Sequence, residues 1–210
     1  MARPAPARSR RARPRQDRAD RMEQVLDAAE SLLRRHGIAQ MTVLDVARAL
    51  GLTHAAVYRY FPDKVSLREA VAERWLQRIS RPLAMIAEGP APAEERLREW
   101  ARTLARLKRH KVRDDPQMFA AYSALARGAD RVVTAHVGEL QRQLIRILKD
   151  GVDEGAFRVR DIPRAAAAVQ NATLRFHHPQ LLLPPAPLPT TRELESVLDL
   201  VVSGLTSGLL

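Results

Sequence analysis

Apolar residues recur along this chain at spacings of three and four, the repeat that lines one face of an α-helix. Met22, Val25, Leu26, Ala29, Leu32 and Leu33 form the first such stripe and predict a helix from Arg18 to His36, ended by Gly37. Val43, Val46, Ala47 and Leu50 predict a short second helix. Thr42 stands at its start, and Asp45, three residues on, is where a capping-box acid belongs. Leu50-Gly51-Leu52 reads as a tight turn, with Gly51 in the left-handed conformation that costs glycine little. Thr53 is positioned to cap a third helix, whose inner side carries Ala56, Val57 and Tyr60. Pro62-Asp63 stops it, and Asp63 caps a fourth helix reaching about Ser80, with Leu67, Ala70, Val71, Arg74, Trp75 and Ile79 along one side. Helix, glycine turn, helix is the layout of a helix-turn-helix, whose second helix enters the DNA major groove.

Pro82 and Gly89-Pro90-Ala91-Pro92 then punctuate the chain and suggest a domain boundary near residues 78–82. Beyond it the pattern stays helical. Ala93 to about Arg109 carries Leu97, Trp100, Ala101, Leu104 and Leu107. Asp115-Pro116 opens a helix through Met118, Ala121, Tyr122 and Leu125. Ala129 to about Glu154 is long and ends at Gly155; Asp161 to about His178 is Ala-rich; Thr191 to about Leu209 is last, after a proline-rich connection over residues 179–189. No strand pattern and no internal repeat appears. The expected fold is all-α, with a disordered basic arm over residues 1–17, a helix-turn-helix domain over 18–80 and a larger helical domain over 81–210.

Composition sharpens this picture. The chain is 46 % hydrophobic and 28 % charged, a globular balance, and with only 4 % aromatic residues its core rests on Leu, Val, Ile and Ala. No stretch reaches membrane-spanning length without charge, and no apolar segment follows the basic N-terminus, so the expectation is a cytoplasmic protein without a membrane partner. The absence of cysteine excludes disulfides, thiolate metal sites and a cysteine nucleophile. The net charge is +11. Residues 1–19 hold seven arginines against Asp17, a net of +6, so +5 is left for all the rest. Such arms track phosphates or reach a minor groove in other DNA-binding proteins.

On a recognition helix from Thr53, the outward positions are His54, Ala55, Tyr58 and Arg59. Arg59 is suited either to guanine, by two hydrogen bonds, or to a phosphate; Ala55 suits a thymine methyl; His54 donates or accepts by tautomer. Arg48 is a further phosphate candidate. The run from Thr53 through Tyr58-Arg59-Tyr60-Phe61-Pro62-Asp63-Lys64 to Leu67 closely resembles the recognition helix and following helix start of TetR-family transcriptional regulators, and the resemblance extends over about Asp20 to Leu76. It implies phosphate contacts from Thr42, Tyr58, Tyr60 and Lys64. The family's namesake has a base-reading arginine early in the first short helix, where this chain has Leu44, so base reading falls to the helix from Thr53.

The resemblance also implies a small-molecule pocket in the C-terminal body and a two-fold dimer built from the last two helices. Trp100, Met118, Phe119, Tyr122, His136, Phe176 and His177 are the pocket candidates, although each suits an ordinary core position as well. His177-His178 does not suggest a metal site: adjacent helical residues point about 100° apart, whereas shared metals take i, i+4 pairs. The pair reads instead as cations at a helix C-terminus. No phosphate loop, nucleophile elbow or paired-histidine motif supports catalysis, and no cofactor is implied. The expected function is a homodimeric, sequence-specific DNA-binding regulator, a repressor released from a pseudo-palindromic double-stranded operator by a small effector. Two rivals remain: a weakly specific architectural binder driven by the arginine arm, and a ligand-binding helical protein with a vestigial DNA unit.

Overall fold

The computed structural model describes residues 13–37, 41–127, 131–183 and 187–209, with backbone alone for 13–17 and 124–127. Residues 1–12 of the expected arm and the Leu125 side chain lie outside the described residues. The helices are α1 (Arg13–His36), α2 (Val43–Ala49), α3 (His54–Tyr58), α4 (Lys64–Ala87), α5 (Ala93–Asp114), α6 (Pro116–Arg127), α7 (Arg131–Asp153), α8 (Ile162–Ala172) and α9 (Thr191–Ser207), with 3-10 turns at Leu174–Phe176 and Pro179–Leu181. No strand occurs among the described residues. Nor, among them, is any helix long and apolar enough to cross a membrane. Two compact units, Met1–Val71 and Ala72–Leu210, divide the chain inside α4.

In the first unit the stripe of α1 is buried from Val25 to Leu33, together with Val43, Val46, Ala47, Val57, Phe61 and Leu67; Met22, expected in the stripe, is exposed. Helix α1 starts five residues ahead of the expected Arg18. Pro14 does not prevent this, because N–H groups of a first turn have no intrahelical partner to lose. Caps set the short helices as the sequence suggested. Thr42 Oγ1 accepts from Asp45 N (3.1 Å) while Asp45 Oδ2 accepts from Thr42 N (3.2 Å). Thr53 Oγ1 accepts from Ala56 N, and Asp63 Oδ1 accepts from Ser66 N at 2.7 Å.

In the second unit α7 packs on α5 and α8, and α9 on α5 and α8. Helix α4 does not stop near Ser80 but runs through Pro82 to Ala87. An interior proline forfeits a backbone hydrogen bond and costs about 3 kcal/mol or more. Trp75, Ile79, Leu83 and Ala87, four residues apart and all buried, continue the stripe past it and offset that cost. Arg96 ties off the end of this helix. Its buried guanidinium donates to the carbonyl oxygens of Ala87 and Ala91 (both 2.7 Å) and pairs with Asp150 (2.8 Å) on the last turn of α7 and with Glu154 (3.3 Å) just beyond it.

Helix α8 ends at Ala172, six residues before the expected His178. Thr173 Oγ1 donates to Val169 O, and Pro179 holds His178 in an extended conformation (ψ 129°), so the chain tightens into 3-10 turns instead of continuing as α-helix.

Two glycines of α7 face different surroundings. A Cβ on Gly151 would lie 2.1 Å from the ring of buried Phe157, whereas one on Gly138 meets only the far end of Arg142 at 3.6 Å. Gly151→Ala is expected to destabilise by about 1–3 kcal/mol through overpacking. Gly138→Ala should stabilise by up to about 1 kcal/mol through helix propensity. Urea unfolding of the two variants checks the opposite signs.

Candidate DNA interface and effector site

The turn between α2 and α3 is closed by two backbone bonds. Leu52 N donates to Ala47 O (2.9 Å) and Gly51 N to Arg48 O (3.2 Å), with Gly51 at φ +63°; this is a Schellman motif. Buried Val57 fastens one side of α3, and His54, Ala55, Tyr58 and Arg59 stand exposed on the other. The rings of His54 and Tyr58 pack edge to face at 4.2 Å between centroids, so they form one aromatic surface. Arg59 sits at the C-cap. Tyr60 is half-buried, with the Arg18 guanidinium 6.0 Å from its ring centroid. Arg48 is exposed on α2, and Lys64 is the first residue of α4. The hydroxyl oxygens of Thr42 and Thr53 accept the capping hydrogen bonds. The expected contact residues therefore all belong to the turn, to its two helices or to the next helix start. Leu44 is also exposed on α2.

The expected pocket residues separate. Among the described residues, a cavity of about 410 Å³ lies between α4 and α7, walled by Leu76, Ser80, Ala84, Val132 and His136, with Glu73, Glu139, Arg81, Arg131 and Arg142 also facing it. Of the seven candidates only His136 lines it. Trp100, Met118, Phe119, Tyr122, Phe176 and His177 are buried. Trp75, Phe119 and Tyr122 form an aromatic cluster, Trp75 lying 5.2 Å from Tyr122 between ring centroids.

Polar groups thread this apolar interior. Trp100 Nε1 donates to Gln143 Oε1 (2.9 Å), and Gln143 Nε2 donates to Ser80 O and Glu139 Oε1 (both 3.2 Å). Ser80 Oγ donates to Leu76 O and meets His136 Nδ1 at 3.1 Å. His136 Nε2 and Trp75 Nε1 are buried and make no hydrogen bond among the described residues. Lys108 is buried to 2 % exposure, with Nζ 3.4 Å from Tyr122 Oη and 4.4 Å from that ring's centroid.

Two family models match this chain: "Bacterial regulatory proteins, tetR family" over residues 25–71 and "Tetracyclin repressor-like, C-terminal domain" over 93–198. The chain belongs to the TetR family. An HTH-type transcriptional regulator of Mycobacterium tuberculosis, Rv1255c, is 34 % identical over 102 residues, 48 % of each chain. The regulator EthR of the same species is 33 % identical over 89 residues, 42 % of this chain and 40 % of EthR. The chain thus spans about half the length of the curated relatives it matches, or less. Among solved structures, a TetR/AcrR-family regulator of Thermobifida fusca aligns with TM-score 0.66 at 21 % identity, covering 88 % of this chain and 98 % of that one. SmeT, repressor of a Stenotrophomonas maltophilia multidrug efflux pump, aligns with TM-score 0.64 at 19 % identity over 88 % and 89 %. At these identities the structures share the TetR fold.

Within that fold, sequence reading passed over Lys108, Ser80 and Gln143. Lys108 had a signal: it falls four residues after Leu104 on the stripe of Leu97, Ala101 and Leu104, where an aliphatic residue is expected. Burial lowers the Lys108 amine to about 7 and raises the Tyr122 phenol to about 12. His177 is lowered to about 4 and His136 to about 2, first by burial and then by Lys108. His177 is therefore not cationic at neutral pH, and burial lowers His178 as well, contrary to the helix-dipole reading. Its helix has already ended, and His178 Nδ1 instead accepts from Gln180 N, capping a 3-10 turn.

Between pH 7 and the ordinary lysine value of 10.5, the unfolded chain holds a proton on Lys108 that the folded chain does not. Stability from this group therefore rises with pH across that window, by up to about 1.4 kcal/mol per unit. Urea unfolding at pH 7 and pH 9 should show a gain in the wild type that Lys108→Met lacks; equal changes in both would mean that the amine titrates normally.

Proposed function

We propose that the chain is a DNA-binding transcriptional regulator, a repressor that leaves its operator when a small effector binds the second unit. The observation that carries this reading is α3 itself: five residues long, held by caps at both ends, with His54, Ala55, Tyr58 and Arg59 turned to solvent. His54, Ala55 and Arg59 are assigned to base edges, and Thr42, Arg48, Thr53, Tyr58, Tyr60 and Lys64 to positioning on phosphates. The family membership supports both roles. SmeT, which shares the fold, also exists as a triclosan complex, which supports an effector in the second unit.

A single unit of this size buries too little DNA for tight specific binding, so the operator is read by a two-fold dimer with recognition helices about 34–36 Å apart. Helices α8 and α9 are assigned to the pairing. Ala167 and Ala168 are half-buried on α8, and Leu200 on α9 is 74 % exposed, an apolar side chain that a partner would cover. Effector binding then acts as a population shift: it favours whichever arrangement of the units binds it better, at the expense of the one that fits DNA.

Selection of bound fragments from the source organism's genomic DNA at near-physiological salt tests the regulator reading. A shared pseudo-palindromic site is expected. Arg59→Ala should then weaken binding by about 1–3 kcal/mol and relax one base position, whereas a purely phosphate-bound Arg59 would lower affinity for all sequences alike. Binding without a shared motif, lost when residues 1–16 are removed, would favour the architectural reading. Leu200→Arg is expected to shift the dimer toward monomer in analytical ultracentrifugation without lowering the melting temperature of the protomer.

A further inference from the structure

Lys108 is a buried amine with no anion in reach among the described residues. An ammonium offers three donors, yet the partners of Lys108 among the described residues are one phenol oxygen and one ring, both of Tyr122. No described carboxylate pairs with it. Lysine is almost never buried unless paired, because removing its charge from water is costly. A second amine borders the same aromatic cluster: Lys111, one turn away on α5, places its ammonium 5.7 Å from the ring centroid of Trp75. Two further buried polar atoms here, Trp75 Nε1 and His136 Nε2, make no hydrogen bond among the described residues. Trp75 leans on the ring that carries Lys108, and His136 lines the 410 Å³ cavity between α4 and α7. An amine without a carboxylate and an indole N–H without an acceptor, bordered by aromatic side chains, are complementary to an anion with an apolar body.

We propose that the effector is a small carboxylic acid with an apolar body, whose carboxylate pairs with Lys108 and accepts from Tyr122 Oη or Trp75 Nε1, while its body lies against Trp75, Phe119 and Tyr122. The proposal rests on the reading of the chain as an effector-responsive regulator and deepens it by naming the chemistry of the effector. It also accounts for a lysine kept where a leucine would complete the stripe of α5. The carboxylate supplies the missing half of an ion pair, and the position is retained for binding at the expense of stability.

The two tryptophans of the chain, Trp75 and Trp100, both lie in this interior. Intrinsic fluorescence therefore reports on the proposed site. Full-length protein is titrated with octanoate, 1-octanol and octylamine, probes of one chain length and three head groups, with calorimetry in parallel. Octanoate is expected to bind at least tenfold more tightly than 1-octanol, and octylamine more weakly than either. In Lys108→Met, the acid and the alcohol should bind within about twofold of each other, and the unliganded variant should melt no lower than wild type. Equal binding of acid and alcohol to the wild type, preference for the amine, or a preference for the acid that survives Lys108→Met would overturn the proposal. The comparison of head groups on wild type needs no variant, so it stands even where Lys108→Met folds poorly. Failure of the acid preference beside a selected operator sinks the effector assignment alone. Acid binding that depends on Lys108, in a protein that selects no DNA site, sinks the regulator reading and keeps the site.

Discussion

Gln143 is the joint on which the second unit turns. A buried amide is costly unless its oxygen and its nitrogen both find partners. Here the oxygen accepts from Trp100 on α5, and the nitrogen donates to the Ser80 carbonyl on α4 and to Glu139 on its own helix. Ser80 in turn meets His136 through its hydroxyl. One polar thread thus fixes α4, α5 and α7 in a single register, where the apolar contacts around it are far less directional. Because the thread uses a carbonyl only two residues before Pro82, it needs α4 to be intact there, and the buried Ile79, Leu83 and Ala87 keep it so.

The same register has consequences for charge. Holding α5 against α6 brings the Lys108 amine beside Tyr122, away from water and from any described carboxylate. Desolvation then governs its titration and that of the three histidines its charge reaches. Arg96 shows the contrasting solution in the same unit. It is as deeply buried, but two carbonyls and two carboxylates surround it. One cation closes the fold. The other is left for a partner from outside.

In the first unit the constraint is local. A five-residue helix has no stability of its own. Helix α3 exists because Gly51 turns the chain in a left-handed conformation, Thr53 satisfies an N–H at its start, and Val57 is buried beneath it. The outer face is left free to vary with whatever it must touch, which is why His54, Ala55, Tyr58 and Arg59 can carry specificity without weakening the fold.

Short-range chemistry was legible from the chain alone. The caps at Thr42, Thr53 and Asp63, the turn at Gly51, the buried stripes and the all-helical class each depend on residues three or four apart, and the helix-turn-helix is made almost entirely of such relations. Where a local rule met a longer-range demand, the longer-range one won. Pro82 did not end α4, because packing on both sides of it outweighed one lost hydrogen bond. Helix α8 stopped short of His178 for a local reason instead, because Thr173 and Pro179 redirected its last turn. The polar interior of the second unit was least legible, since its members are distant in sequence: Lys108 and Tyr122 are 14 residues apart, Trp100 and Gln143 are 43, and Ser80 and His136 are 56. Periodicity says that a side chain faces inward. Which other side chain it meets there, and so whether a buried lysine is paired or left waiting for an anion, is decided only when the helices pack.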